Sequence, residues 1–311
     1  MKASSPTASH HYIRASIVAG IGVLLGVYIW NNWDVMLKSL QALADTSPLF
    51  LVAGIALAGL TFMFAAGSYA SLALKKLPFK ELLVIEFAAT AINRLFPSGL
   101  GGMGAHGLYL FKRGHSKTAA TLVISTNTLL GFLAHNILLV LALLVAPQAL
   151  KGFDLPGFNS YMLLAVAVLV AVGTWFAVRR GAVSSIKKNF SKTIGSYKRQ
   201  PSKLGIATLC LMGITITNFT IFMLAGAAVG ISLPLVAGFL IYSAGVAVGA
   251  ATPTPGGLAG VEAGLVAGLL AMNVDEVSAI AAVLAFRFVT FWLPLVPGIV
   301  ALWYVRRKNL L

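Results

Sequence analysis

One proline–glycine motif interrupts apolar sequence at two places in the chain. Pro97-Ser98-Gly99-Leu100-Gly101-Gly102-Met103-Gly104-Ala105-His106 and Pro253-Thr254-Pro255-Gly256-Gly257-Leu258-Ala259-Gly260-Val261-Glu262 share the pattern P-x3-G-x2-G-x-polar and begin 156 residues apart. The same offset superimposes Leu77-Pro78 on Leu233-Pro234. Helix breakers inside hydrocarbon leave backbone N–H and C=O groups unpaired, and this is tolerated only where they line a cavity or are buried in protein. A break repeated in one register is a sequence pointer to the binding site of a transporter.

Hydrocarbon is the expected surrounding. Hydrophobic residues make up 59% of the 311-residue chain, charged residues only 10%, and the mean hydropathy is +0.90. A water-soluble globule is excluded at these values. Apolar runs cover Ile13–Trp30, Leu49–Leu74, Thr118–Ala146, Tyr161–Val178, Leu204–Ile231 and Val277–Tyr304. Each reaches or approaches the roughly 20 residues that cross a bilayer as helix, whereas the alternation of a β-barrel is missing. The expectation is an all-α polytopic membrane protein, one integral domain over residues 1–311. Ile13–Trp30, with Lys2 ahead of it and Arg14 at its start, has the layout of a signal peptide, but no small-x-small cleavage site comes after it, so a retained first helix is expected. The single cysteine, Cys210, lies in an apolar run, which argues against a disulfide framework and a thiolate metal site.

The net charge of +15 is distributed as a membrane topology, not as a nucleic-acid surface. Eight of the 23 Lys/Arg residues fall in a loop over 179–203, and others cluster at Lys75, Lys76 and Lys80, at Lys112, Arg113 and Lys117, and at Arg306, Arg307 and Lys308. Asp34, Asp45, Asp154, Asp275 and Glu276 occupy the alternate connections. The positive-inside rule then places both termini and the 179–203 loop in the cytoplasm, in the inner or plasma membrane, with only Lys38 and Lys151 on the wrong side. The basic loop, with Tyr197, could also touch anionic headgroups.

Six full crossings leave Phe79–Phe111 and Leu235–Leu270 unassigned, each centred on a motif. Each is expected to form a re-entrant helical hairpin, the first opening from the cytoplasm and the second from the exterior. Three crossings lie between them, so the hairpins are inverted relative to each other. The expected repeats cover about 48–146 and about 204–305; beyond the hairpins, Thr118-Ala119 aligns with Ser278-Ala279 and Asn127 with Arg287. Two short full crossings per hairpin would preserve the same inversion.

Ionisable residues at membrane depth are costly and are functional candidates by default. They are Glu86, Arg94, His106, His135, Glu262 and Arg287. Glu86 and Arg94 are spaced to share one helix face. Arg94 and Arg287 are expected to bind a lipid phosphate, with Glu86 and Glu262 contacting a cationic headgroup or holding the arginines. The motif glycines Gly101, Gly102, Gly104, Gly256, Gly257 and Gly260 would offer backbone N–H groups to an anion and permit close approach. Simple Arg94–Glu86 and Arg287–Glu262 pairing, with glycines packing helices, is the structural alternative. His106 and Glu262 are candidates for ion coupling; His135, Asn93, Asn127 and Asn218 suit interhelical hydrogen bonds. No H-E-x-x-H, Walker or G-x-S-x-G motif occurs. No enzyme activity, cofactor or metal is therefore expected, and transport would be passive or gradient-driven.

Pro-x-Pro-Gly-Gly-Leu with Glu262, followed by Phe286-Arg287-Phe288-Val289-Thr290-Phe291-Trp292-Leu293-Pro294, resembles the transmembrane region of the lysylphosphatidylglycerol synthase/flippase family. Pro97 to Gly104, followed by Leu108–Leu110, is similar to that family's first motif, and the resemblance extends roughly from Pro48 to Lys308. At the first motif the chain carries Met103 and His106 where the family pattern leads to an acid or arginine. The resemblance implies movement of aminoacylated phosphatidylglycerol between leaflets, singling out Glu262 and Arg287. The family's soluble synthase domain is not expected in this chain, so lysyl transfer is not implied. The expected function is a lipid flippase acting on an anionic phospholipid or a lipid-linked phosphate. The alternative is a non-catalytic membrane partner of a lipid-modifying or glycosyl-transfer enzyme; a membrane enzyme partner or a homo-oligomer fits either role.

Overall fold

The computed structural model describes residues 33–44, 48–94, 100–145, 195, 197, 200–252, 254 and 256–311, and every regular element among them is helical. In chain order these are α1 (Trp33–Ala44), α2 (Pro48–Leu72), α3 (Phe79–Asn93), α4 (Leu100–Lys112), α5 (Lys117–Val145), α6 (Pro201–Ala228), α7 (Leu235–Ala251), α8 (Gly260–Leu270), α9 (Glu276–Arg287), a π-helical turn (Phe288–Trp292) and α10 (Leu295–Arg307). Four stretches are long and apolar enough to cross a bilayer: Pro48–Leu72, Lys117–Val145, Pro201–Ala228 and the joined Glu276–Arg307. They coincide with four of the six expected crossings. The other two, Ile13–Trp30 and Tyr161–Val178, lie outside the described residues, as does most of the 179–203 loop.

The interrupted segments form antiparallel helix pairs. In the first, Gly101 meets the backbone of Ile92, His106 meets Glu86, and Tyr109 meets Glu81, so α3 and α4 run in opposite directions. In the second, Gly249 meets Val261, Gly245 meets Leu265, and Gly268 meets Ile241, which sets α7 against α8 in the same way. These helices have 15, 13, 17 and 11 residues. At 1.5 Å per residue they are about 17–26 Å long, shorter than the roughly 30 Å hydrocarbon layer. Leu77-Pro78 and Leu233-Pro234 hold matching places: each proline caps the first helix of its pair, α3 or α7.

Helices α2 and α6 cross antiparallel at the centre, and the Thr61 and Thr217 hydroxyls there share a 2.8 Å hydrogen bond. These two threonines are 156 residues apart, the separation of the two motifs. One buried core gathers Ala66, Tyr69 and Leu72 of α2 with α3, α4 and the start of α5. The other gathers Phe219, Phe222 and Ala225 of α6 with α7, α8 and α9. Helix α10 packs against α3, where Gly298 lies against the Phe87 carbonyl and Ala91.

Two local features differ from the sequence reading. Trp33–Ala44, expected as a connection, is helix α1, whose Ser39 hydroxyl donates to the Val277 carbonyl. Its twelve residues contain no glycine or proline, but it is too short to register as a crossing. The last crossing is not uniform helix, because its π turn closes through Leu293 N–H to the Phe288 carbonyl at 2.8 Å. Helix α9 starts as its sequence indicates: Asp275 accepts from Ser278 N–H, which holds its carboxyl below the usual carboxylate range.

Tight contact between α7 and α8 depends on residues without side chains. A Cβ at Gly264 would sit 2.8 Å from the Gly245 Cα, whereas one at Gly59 would meet nothing within 4 Å. Gly264→Val is expected to cost about 1–3 kcal/mol by overpacking. Gly59→Ala should stay within about 0.5 kcal/mol of wild type. Thermal unfolding of the detergent-solubilised protein separates the two; equal midpoints would show that the helices can part without loss.

Candidate functional site

The second motif enters α8 through strained backbone. Gly256 and Gly257 have φ of +61° and +67°, and Ala259, at φ +68° and ψ −37°, also takes a positive φ despite its Cβ. A side chain at Gly257 would approach the backbone of Gly249 to 3.0 Å, and one at Gly260 would collide with Thr252. In the first motif, Gly101 packs on the Ile92 carbonyl, and Gly102 N–H donates to the Asn93 amide oxygen at 3.3 Å. Close helix approach accounts for Gly101, Gly257 and Gly260, while Gly104 faces open space. Pro97, Ser98, Gly99, Pro253 and Pro255 lie outside the described residues.

Glu262 stands in the first turn of α8 and Arg287 in the last turn of α9, the ends that each charge prefers. Their side chains meet at 2.6 Å, Arg287 Nε donating to Glu262 Oε1. Arg287 is 8% exposed, so it needs this partner. Its Nη2 also reaches the Gly256 carbonyl at 3.4 Å, tying the motif to α9. The other carboxylate oxygen of Glu262 is buried without a hydrogen-bond partner among the described residues.

Arg94 does not pair with Glu86. It caps the end of α3, and its Nη2 donates to the Thr290 carbonyl at 2.9 Å. The acceptor is available because Pro294 follows Thr290 by four residues. A proline has no N–H to give that carbonyl and crowds it, so the helix opens there. The guanidinium of Arg94 also lies 4.3 Å from the centre of the Phe291 ring, and that of Arg287 lies 4.4 Å from the same centre. One ring thus holds two cations, from opposite ends of the sequence, by cation–π attraction. Nη1 of Arg94 is buried with no partner among the described residues.

Glu86 instead pairs with His106, at 2.8 Å between Oε1 and Nε2. The imidazole stacks on Tyr69 with ring centres 3.9 Å apart. Two adjoining cavities, of about 180 and 270 Å³, share Glu86, Thr90, Ala65 and Ile214. Thr61, Asn218, Thr290 and Pro294 line the smaller; Asn93, His106, Asn127 and Thr128 are among those lining the larger. Glu86 is the one carboxylate among these walls, and neither contains a lysine or arginine among the described residues. Ser68 donates to Asn127, and Asn218 donates to the Ile214 carbonyl, so these amides join neighbouring turns and helices. His135 packs beside the Phe239 and Tyr242 rings and lines neither cavity.

The family model described as "Lysylphosphatidylglycerol synthase TM region" matches residues 17–298. The chain belongs to this family. Its membership, together with the four spanning stretches, makes it a multi-pass membrane protein and fits a membrane lipid-related function. No curated protein matches the chain. The family match includes the two arginines, both motifs and the cavity walls.

Sequence reasoning named Arg94, Arg287, Glu86, Glu262 and His106 but missed what organises them. Phe291 sits inside the quoted C-terminal motif, and its aromatic ring one turn from Arg287 was the available signal. Pro294 marked the freed carbonyl at Thr290. The offset of 156 also pairs Thr61 with Thr217, a match that becomes noticeable only when the helices cross.

Glu262→Ala would strand a buried guanidinium and is expected to cost about 3–5 kcal/mol of stability. Adding Arg287→Met should restore much of that loss, because an apolar side chain of similar length needs no partner. Thermal midpoints of the single and double variants check this. A single variant as stable as wild type would show that the pair contributes nothing to the fold.

Proposed function

We propose that the protein moves a phospholipid or lipid-linked phosphate between leaflets, its tails remaining in the bilayer while the polar headgroup passes by the cavities beside α3. The observation that carries this reading is the meeting of Arg94 and Arg287 over Phe291, with one Arg94 nitrogen left without a partner among the described residues. Arg287 is already neutralised by Glu262, whereas among the described residues Arg94 is held by a carbonyl and a ring. An incoming phosphate would complete its charge balance by hydrogen bonding to Nη1. Thr290 joins this place to the cavities, since its carbonyl anchors Arg94 and the residue lines the smaller chamber.

Two inverted repeats, about 48–146 and 204–305, are the architecture proposed for this movement. The matched Leu-Pro caps, the two short antiparallel pairs and the Thr61–Thr217 contact support it. Residues related by a pseudo-two-fold axis touch each other where they lie on that axis. Helices shorter than the hydrocarbon layer favour re-entrant hairpins over full crossings. Both termini are assigned to the cytoplasm of a cell membrane from the placement of basic residues. Broken helices at a repeat interface suit alternating access.

The test is the full chain reconstituted in phosphatidylcholine liposomes with fluorescent phospholipids of different headgroup charge. Wild type should accelerate movement of an anionic probe over empty liposomes, and Arg94→Ala should abolish most of that gain in protein that is still folded, with its thermal midpoint lowered because the Thr290 carbonyl loses its donor. No acceleration of any probe by folded protein would favour a non-catalytic partner of a membrane enzyme.

A further inference from the structure

The buried Glu86–His106 pair holds one proton by hydrogen-bond geometry alone. His106 Nδ1 lies 2.8 Å from the Gly102 carbonyl, and a carbonyl oxygen only accepts, so Nδ1 carries a hydrogen. Nε2 faces Glu86 Oε1 at 2.8 Å. One more proton must lie on that line, borne either by the imidazole or by the carboxyl group. Without it, an imidazole lone pair and a carboxylate would face each other with no bond between them, in a place where the two residues are 5% and 7% exposed. The pair also joins the two arms of the first hairpin, since Glu86 is on α3 and His106 on α4.

We infer that Glu86 and His106 form a one-proton binding site that latches α3 to α4, and that its loading and release couple lipid movement to a proton gradient. The coupling rests on the transport reading above; the proton site does not. Proton loss leaves Glu86 anionic and without its partner, at the wall shared by the two cavities, where polar groups can receive it. The latch opens and the hairpin arm is freed to shift. On reloading, the proton returns to the Nε2–Oε1 line, and no other group need change its charge.

The surroundings single out this pair. From α2, Tyr69 stacks on the imidazole; Cys210 of α6 faces Gly67 and lines neither cavity. Helix α5 presents neutral Asn127 and Thr128, α6 presents Asn218, and the π turn and its exit present Thr290 and Pro294. Arg94 lies at the far end of α3, engaged with Thr290. Glu81, Tyr109 and Arg113 form their own cluster at the opposite end.

The test adds a one-unit pH gradient to phosphatidylcholine vesicles holding the full chain and a trace of fluorescent phosphatidylglycerol. One proton moved per lipid should redistribute the probe about tenfold between leaflets. His106→Gln, whose amide cannot release a proton, should remove the redistribution. Probe that moves in wild type but ignores the gradient overturns the coupling and leaves the transport reading intact. If no probe moves, transport fails, and the ¹⁵N spectrum of the His106 ring decides the proton site. A ring signal that changes with pH in wild type but is fixed in Glu86→Gln supports the site; a ring signal unchanged at every pH at which the protein stays folded overturns it.

Discussion

A carbonyl deprived of its helical donor is the contact on which the centre of this molecule depends. Pro294 cannot donate to Thr290, so the last spanning stretch opens at a π turn, and Arg94 supplies the missing hydrogen bond from the end of α3. In water such a carbonyl would be solvated at little cost. Within a bilayer it must find a protein donor. The same guanidinium then lies on Phe291, opposite the sequence element that carries Arg287. The break in the last spanning stretch is thereby satisfied by a cation from the end of α3, and α10 is fixed against α3.

Charge at this depth is arranged in two different ways. Arg287 and Glu262 are close-paired and belong to neighbouring helices of one half, an arrangement that keeps an arginine buried without leaving it isolated. Glu86 and His106 are paired through a shared proton beside the cavities. Arg94 is the exception: among the described residues it has a ring, a carbonyl and an unused nitrogen in place of a carboxylate. A site that recruits an anion needs that kind of incompleteness, and a site that releases one needs the attraction to be shared and moderate. The proposed transport role rests on this contrast between a satisfied arginine and an unsatisfied one.

The glycine motifs contribute mainly through distance. Their Cα atoms let α3 approach α4 and α7 approach α8 with backbone nearly in contact, so that short arms can pack without intervening side chains. Left-handed backbone at Gly256 and Gly257, with a positive φ also at Ala259, turns the chain tightly enough to start α8 with Glu262 aimed at Arg287. The strain stored at Ala259 is held by the surrounding packing.

Much of the fold was legible in the sequence because a bilayer imposes a strict length and polarity rule on helices. The four described crossings, the two interrupted segments and the family resemblance all follow from apolar run length, from Pro/Gly placement and from the Phe286–Pro294 motif. Helix α1 was not legible as a helix, since a twelve-residue segment with polar residues reads equally well as a connection. Spacing on one helix suggested that Glu86 and Arg94 face a common cavity, yet their partners come from different elements. His106 reaches Glu86 only because α4 folds back along α3, and Arg94 reaches Thr290 only because α10 packs across α3. Sequence by itself determined which long apolar segments are helical and which charges fall within them, because those are local properties of composition and period. Which charge meets which partner was decided by the tertiary structure, because buried groups are satisfied by whatever the crossing helices bring within hydrogen-bond reach.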